Sequence, residues 1–229
     1  MERKAPFNRI VDFLVERSPA KIEVRQNAEW AFGLIREQLF ALEKDLHSRL
    51  EKIYKKGVVK LIEKSPLDLE FHICDDIIIF SLHTDAFTFP EGHPVWKNSS
   101  VAADRTQGYF GMISIYNFLT DSIKFHRVND QGILVSRIYI DRSQRFFMEG
   151  KRQLGVLYND VSGVPMDGQA SRIIAETIIA YCLDFDIVMP SFDAVRIISV
   201  QEMIEKSLST VVGTGKRLGF KLQTDSEVD

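Results

Sequence analysis

The first 57 residues repeat apolar positions with the period of an α-helix. Between Asn27 and Lys56 these positions lie alternately four and three residues apart, which predicts one long helix with a heptad-like stripe. The stripe consists of Ala28, Phe32, Ile35, Leu39, Leu42 and Leu46. A shorter amphipathic helix is predicted at residues 6–18, where Pro19 closes it because the residue before a proline disfavours the helical conformation. We expect the stripe to pack within the chain, and the alternative is a homodimer through residues 27–56.

At residue 67 the apolar period changes to two, which is the repeat of a β-strand with one buried face. Asp75 and Asp76 form a predicted two-residue turn between two such strands. This turn places Asp68 opposite His83 on the polar face of a hairpin. A cross-strand His–Asp pair of this kind would satisfy both side chains.

Residues 108–150 predict four further antiparallel strands. Their turns fall at 120–122, 129–132 and 142–144. Residues 169–212 then predict two helices with a short strand between them, and the second helix begins with a capping-box pattern at Ser199 and Glu202.

These elements predict a single α+β domain over residues 1–221. An antiparallel β-meander of about six strands, at 67–149, packs against a long N-terminal helix within residues 1–57 and two C-terminal helices within 169–212. Residues 222–229 are expected to form a disordered tail.

Composition narrows the class of protein. The 229 residues are 45% hydrophobic and 27% charged, enough for a sizeable core, and the net charge of −3 gives no global attraction to nucleic acid or to an anionic membrane. The longest aliphatic–aromatic run, at 77–80, is far too short to cross a bilayer, and the N-terminus lacks the apolar segment of a secretory signal. Cys74 and Cys182 are too far apart to indicate a metal site or a disulfide framework. We expect a cytoplasmic protein with no membrane segment and no cofactor.

One face of the predicted meander collects polar and aromatic side chains. They are Tyr116, Lys124, His126, Arg137 and Tyr139. The turn lengths place Lys124 opposite Arg137, which destabilises a sheet unless an anion lies between the two cations. Glu149, opposite Arg137 on the next strand, would supply that charge from within the chain. Otherwise the five side chains form a binding pocket in which arginine holds the carboxylate or phosphate of a small anionic or aromatic ligand.

The end of the first hairpin and the loop predicted after it, at 85–108, carry an alternative site. His83, Asp85 and His93 provide three potential zinc ligands, with Glu91 as a general base, and this set would make the protein a metal-dependent hydrolase. The spacing matches no established zinc motif. The His–Asp pairing predicted for the hairpin explains His83 without a metal.

A third hypothesis rests on a local basic rim made of Arg142, Arg145, Lys151 and Arg152. Such a rim would contact the phosphates of a nucleic acid, and the neighbouring Phe146 and Phe147 would stack on its bases. The acidic net charge argues against it. The leading hypothesis is therefore a non-catalytic protein that binds a small ligand or a protein partner on one face of a curved sheet.

Overall fold

A computed structural model describes residues 6–50, 53, 58–127, 130–184, 187–188, 196–197, 199–201 and 215–216 of the chain. The α-helices are α1 (Pro6–Leu50), α2 (Ser99–Ala103), α3 (Thr120–Lys124) and α4 (Gly168–Leu183), and 3-10 turns lie at Pro94–Lys97, Arg105–Gly108 and Arg152–Gly155. The strands are β1 (Val59–Ser65), β2 (Asp68–Ile73), β3 (Asp76–Phe87), β4 (Phe110–Leu119), β5 (Ile133–Ile140), β6 (Arg145–Gly150), β7 (Val164–Pro165), β8 (Ile187–Val188) and β9 (Gly215–Lys216).

Strands β1 to β7 form one antiparallel sheet in which every strand pairs with its neighbour in the chain. The predicted α+β class with an antiparallel meander is confirmed. The sheet has seven strands where about six were predicted, and the strand β1 at its start was not foreseen. No helix within the described residues combines the length and the apolar composition that crossing a bilayer requires.

Helix α1 runs without interruption through Pro19, so the predicted end of a first helix at this residue is wrong. An interior proline removes the hydrogen bond to the carbonyl four residues earlier, here that of Val15. Val15 and Pro19 are both exposed, and water can therefore hydrate the carbonyl that Pro19 leaves unbonded. The predicted cap at Gly57 lies outside the described residues.

The heptad-like stripe of α1 is buried within the chain. Ala28, Phe32, Ile35, Leu39 and Leu42 are each at most 6% exposed, and Leu46 packs against the same core. This core joins α1 and α4 to the inner face of the sheet. The chain's own sheet covers these positions of the stripe, and a homodimer through residues 27–56 stays a prediction.

The close approach of α1 to the sheet depends on Gly111 in β4. A β-carbon at this position would lie 2.4 Å from the β-carbon of Ala28 and 2.8 Å from the carbonyl oxygen of Val24. Only glycine leaves room for the helix backbone here. The helix is therefore fixed against the middle of the sheet.

The first hairpin turns one residue earlier than predicted. Its two turn residues are Cys74 and Asp75, with Cys74 at a φ of 51°, and Ile73 pairs with Asp76. This shifts the register by two positions, which keeps every side chain on its predicted face. Asp68 lies opposite Ser81 and not opposite His83. The predicted cross-strand pair of Asp68 and His83 is therefore wrong.

The predicted strand that carried Lys124 and His126 does not exist. Residues 120–124 form the short helix α3, and β4 pairs directly with β5. Side chains stabilise this local helical turn, since the Ser122 hydroxyl donates to Asp130 at 2.5 Å. Lys124 therefore does not face Arg137. The turn at 142–144 is confirmed, and with it the pairing of Arg137 with Glu149.

Helix α4 confirms the first of the two predicted C-terminal helices, and the Asp167 carboxylate caps its N-terminus by accepting from the Ala170 N–H at 2.7 Å. Most of the second predicted helix, ending near 212, and all of the predicted tail at 222–229 lie outside the described residues. The single-domain boundary at 221 stays a prediction.

Candidate functional site

The outer face of the sheet, opposite α1 and α4, is covered at one end by residues 88–109, which we call the cap segment. A second, smaller apolar cluster lies beneath it. Its members are Val95, Val101, Phe110, Tyr139 and Phe147, with Phe89, Trp96, Met112 and Val161 packed at its margin. The sequence-predicted loop at 85–108 is thus a structured cover over part of the sheet face.

Phe89 anchors the cap segment through edge-to-face contacts with aromatic side chains of the sheet. Its ring centre lies 4.9 Å from that of Tyr139 and 5.4 Å from that of Phe110. Trp96 fixes the chain around it by donating its indole N–H to the carbonyl of Pro90 at 2.9 Å. Such aromatic contacts favour one orientation of the segment. They leave the neighbouring part of the sheet face uncovered.

A row of polar side chains crosses this uncovered part, with one residue from each of β2 to β6. The row consists of Asp68, Ser81, Ser114, Arg137 and Glu149, each directly opposite the next. We call it the polar row. The adjoining row on the cap side is His83, Met112, Tyr139 and Phe147. The polar row therefore lies at the edge of the aromatic cluster.

Arg137 is held loosely at its place in the row. Its Nη1 donates to Glu149 Oε2 at 3.4 Å, and 41% of the Arg137 side chain and 61% of the Glu149 side chain are exposed. Its Nε is buried, and no acceptor for it is found among the described residues. A guanidinium has five N–H donors, and the partners found for this one within the described part of the chain are Glu149 and Tyr139.

Tyr139 connects Arg137 to the aromatic cluster. The Tyr139 hydroxyl donates to Glu149 Oε2 at 2.9 Å, the same oxygen that Arg137 approaches. Burial, together with the hydrogen bond to Glu149, raises the pKa of Tyr139 to about 12. Burial opposes the charge on Arg137, but Tyr139 and Glu149 outweigh it and raise the pKa of Arg137. At neutral pH the phenol is a donor and the guanidinium a cation.

His83 joins the polar row through Ser114. Its Nε2 lies 3.0 Å from the Ser114 hydroxyl oxygen, and the tautomer decides which of them donates. Burial, and after it the charge of Arg137, lowers the pKa of His83 below 6.5, although Asp68 and Asp85 oppose this shift. His83 is therefore neutral at pH 7 and able to offer either a donor or an acceptor.

The pair of Ser114 and His83 also has the form of a nucleophile with its general base. Ser114 is only 1% exposed, however, so its hydroxyl is not open to a substrate carbonyl. Among the residues described, no group accepts from His83 Nδ1 and orients the ring. The geometry is that of a polar contact within the sheet face.

The other end of the polar row is already satisfied. Asp68 accepts hydrogen bonds from Ser81 at 2.7 Å and from Ser65 at 2.8 Å. Glu70, the next residue on the same face of β2, contacts His72 at 2.8 Å and Lys64 at 3.6 Å. This end therefore offers little to a ligand compared with the Arg137 end.

The structure brings together two of the five sequence-predicted site residues and keeps a third nearby. Arg137 and Tyr139 meet at Glu149. Tyr116 lies on the same outer face, two residues after Ser114 on β4, and is half-buried. Lys124 and His126 are exposed and lie on and after α3, away from the strands, with the Lys124 ammonium 5.0 Å from the ring centre of Phe125.

The alternative metal ligands do not converge. His83 contacts Ser114, whereas His93 stacks on Phe89 at 4.0 Å and accepts from the Val95 N–H at 3.3 Å, where it caps a 3-10 turn. Within the part of the chain that the structure describes, no three His, Cys, Asp or Glu side chains are grouped so as to hold a metal ion.

The basic rim is engaged within the fold. Arg142 donates to Glu23 at 2.6 Å and to Thr106 at 2.8 Å, and Arg145 donates to the carbonyl of Gly163 at 3.1 Å. Lys151 and Arg152 have interaction partners as well. Phe146 and Phe147 are 1% and 5% exposed, so neither ring is available to stack on a base. The predicted base-stacking surface is therefore wrong.

Comparison with protein-family models, with curated proteins and with solved structures gave no significant match to this chain. The function must therefore be inferred from the polar row and its neighbours. They offer one cation, a neutral histidine and a phenol at the border of an aromatic cluster. An arrangement of this kind can hold a carboxylate or phosphate beside an apolar group.

Sequence reasoning missed Ser81 and Ser114 as members of the site. The signal for Ser114 was its position between Ile113 and Ile115, since alternation places it on the outer face. Its neighbour Arg137 on β5 was not predicted, because a strand was expected where α3 lies, between β4 and β5.

Proposed function

We propose that the protein is a non-catalytic binding protein that holds the acidic group of a small ligand at the Arg137 end of the polar row. The observation that supports this most is the state of Arg137, whose side chain contacts Glu149 at 3.4 Å and the Tyr139 hydroxyl, while no acceptor for its buried Nε is found among the described residues. A buried donor without an acceptor destabilises the fold, and such donors are expected mainly at functional sites.

The neighbours of Arg137 define the ligand further. A carboxylate or phosphate on the guanidinium lies on the same sheet face as the half-buried His83, whose imidazole can supply another polar contact. Tyr116 and Ile79, opposite each other on β4 and β3, provide a partly buried apolar surface on the other side of the row. A small anion that also carries an aromatic or aliphatic group fits this combination.

A cytoplasmic location and the absence of a cofactor are part of the proposal. Cys74 is an exposed thiol, and a reducing compartment keeps such a thiol reduced. The binding role requires no metal, because Arg137 and His83 supply the polar contacts.

The proposal is tested by thermal shift measurements with a panel of named probes: succinate, benzoate, inorganic phosphate and adenosine monophosphate. At least one should raise the melting temperature of the native protein, since a ligand that binds only the folded state stabilises it. Arg137→Met should abolish that response, and Arg137→Lys should weaken it because lysine lacks the planar fork. Equal responses from native protein and Arg137→Met would refute the site, and so would the failure of every probe.

A further inference from the structure

The N-terminal part of α1 exposes an unusual amount of apolar surface. Residues 6–19, which we call the arm, precede the first buried residue of the helix, Ala20. Six large apolar side chains of the arm are between 41% and 71% exposed. They are Phe7, Ile10, Val11, Phe13, Leu14 and Val15.

This surface is somewhat smaller than one half of a standard protein interface. Residues of these sizes and exposures leave roughly 600 Å² of mostly apolar surface uncovered, and each partner of a standard interface buries about 800 Å². Monomeric proteins rarely expose a contiguous apolar patch of more than a few hundred Å². The arm is therefore a candidate interface with a partner.

The exposed stripe continues the face of α1 that packs on the sheet. Ile10, Phe13 and Leu14 recur at helical spacing with the buried Val24 and Ala28, so they lie on the same side of the helix. The sheet does not reach as far as the arm. A partner would therefore lie beside the sheet and contact the same side of α1 that packs on the sheet from Ala20 onward.

A cavity opens at the place where the arm joins the body of the protein. It has a volume of about 440 Å³. Its lining combines the aromatic side chains of Phe89, Trp96 and Tyr109 with the charged side chains of Glu16, Arg17, Glu91 and Arg105. Arg17 lies one turn after Phe13, and its guanidinium is 4.5 Å from the Phe13 ring centre. The apolar stripe of the arm thus leads into a partly aromatic cavity.

We propose that the arm pairs in antiparallel fashion with the arm of a second copy of this chain. Fourteen residues of helix span about 21 Å. In an antiparallel pair of this length the tip of one arm, with Phe7 of the partner subunit, reaches the cavity at the base of the other arm. The two bodies then lie at opposite ends of the pair, and one arrangement covers both the stripe and the cavity.

The charges of the arm favour a protein partner over a lipid surface. Residues 6–19 contain Arg9, Asp12, Glu16 and Arg17, which sum to zero. Helices that bind anionic membranes have polar faces rich in lysine and arginine. This arm lacks that excess, and the whole chain has a net charge of −3.

The test compares the oligomeric state of two variants that change the charge equally. Sedimentation velocity of the native full chain should give twice the chain mass of 26.3 kDa. Leu14→Glu should give a monomer whose far-ultraviolet circular dichroism keeps the native helix signal, since glutamate forms helices nearly as well as leucine. Arg9→Gln, on the charged side of the arm, should remain a dimer.

The placement of the arm is tested by the fluorescence of Trp96 in a Trp30→Phe background. Adding Leu14→Glu should shift the Trp96 emission to longer wavelength, because loss of the partner's arm exposes the cavity to water. A monomeric native chain would overturn the proposal, and its binding to vesicles of phosphatidylcholine and phosphatidylglycerol would assign the arm to lipid. A dimer with unchanged Trp96 emission would overturn the antiparallel arrangement.

Discussion

Replacing Arg137 with methionine tests whether this residue serves ligand binding or the stability of the fold. Methionine keeps the length and the apolar stem of the side chain and removes only the guanidinium. If Arg137 serves the fold, its loss should destabilise the protein. If it is kept for a ligand, its loss should leave the empty protein unharmed or more stable.

The structure gives the size of the effect. The pair with Glu149 spans 3.4 Å between two side chains that are 41% and 61% exposed, and such pairs contribute about 0–1 kcal/mol to the free energy of unfolding. The buried Nε without an acceptor costs about 1–3 kcal/mol. The second effect is larger, so Arg137→Met should stabilise the empty protein by about 1 kcal/mol. This corresponds to a rise of about 2–4 °C in melting temperature for a chain of this size.

Urea denaturation of the native protein and the variant, followed by circular dichroism, measures the difference. Arg142→Met is the matched control, because the same chemical change there removes a guanidinium with short hydrogen bonds to two other elements. Arg142 ties α1 to the cap segment through Glu23 and Thr106, and its loss should cost about 2 kcal/mol. A loss of more than 1 kcal/mol on Arg137→Met would refute the reasoning and make Arg137 a structural residue.

Three further substitutions test the surroundings of the site. Tyr139→Phe removes the hydroxyl that donates to Glu149 and should lower the free energy of unfolding by about 1 kcal/mol in urea melts; no loss would mean that this hydrogen bond is not formed. Because the pKa of His83 is lowered in the folded state, its contribution to stability is complete above pH 6.5 and decreases as the pH falls toward the folded-state pKa. His83→Gln should therefore make the melting temperature less dependent on pH in that window. An unchanged profile would contradict the lowered pKa. Gly111→Ala forces a β-carbon against Ala28 and should destabilise the protein by about 2 kcal/mol in urea melts, whereas a neutral result would show that α1 moves freely on the sheet.

Periodicity in the sequence was sufficient for the elements with strong patterns. The stripe of α1 and the alternation in β2 and β3 predicted which faces are buried, and a two-residue error in the hairpin turn preserved those faces. Pro19 misled the prediction because exposure on the outside of a helix makes an interior proline tolerable. The helix continues through Pro19 although proline has a low helix propensity.

The candidate site was predicted only in part, since it depends on register across five strands. Arg137, Glu149 and Tyr139 were placed correctly because a short turn at 142–144 joins their strands. Lys124 and His126 were misplaced because the segment after β4 forms a helical turn held by the Ser122 side chain. One wrongly assigned strand changed the partner of every residue on β4, which is why Ser114 was overlooked.

The cap segment over one end of the sheet face is another feature that could not be predicted from the sequence. Residues 88–109 have no strong period, yet side-chain caps from His93, Asn98 and Asp104 organise them into short turns. Such caps are local signals that become informative only when the following turns are known. The cap segment determines how far the aromatic cluster extends and where the polar row begins.

The most direct test of the central claim is native mass spectrometry of the untagged protein, purified gently from its own cells beside Arg137→Met prepared in the same way. If the polar row binds an acidic ligand, the native chain should retain a small organic anion that is absent from the variant. The same retained mass on both proteins would contradict a site at Arg137. A native chain that retains nothing and also fails to respond to the carboxylate and phosphate probes would contradict the binding function itself.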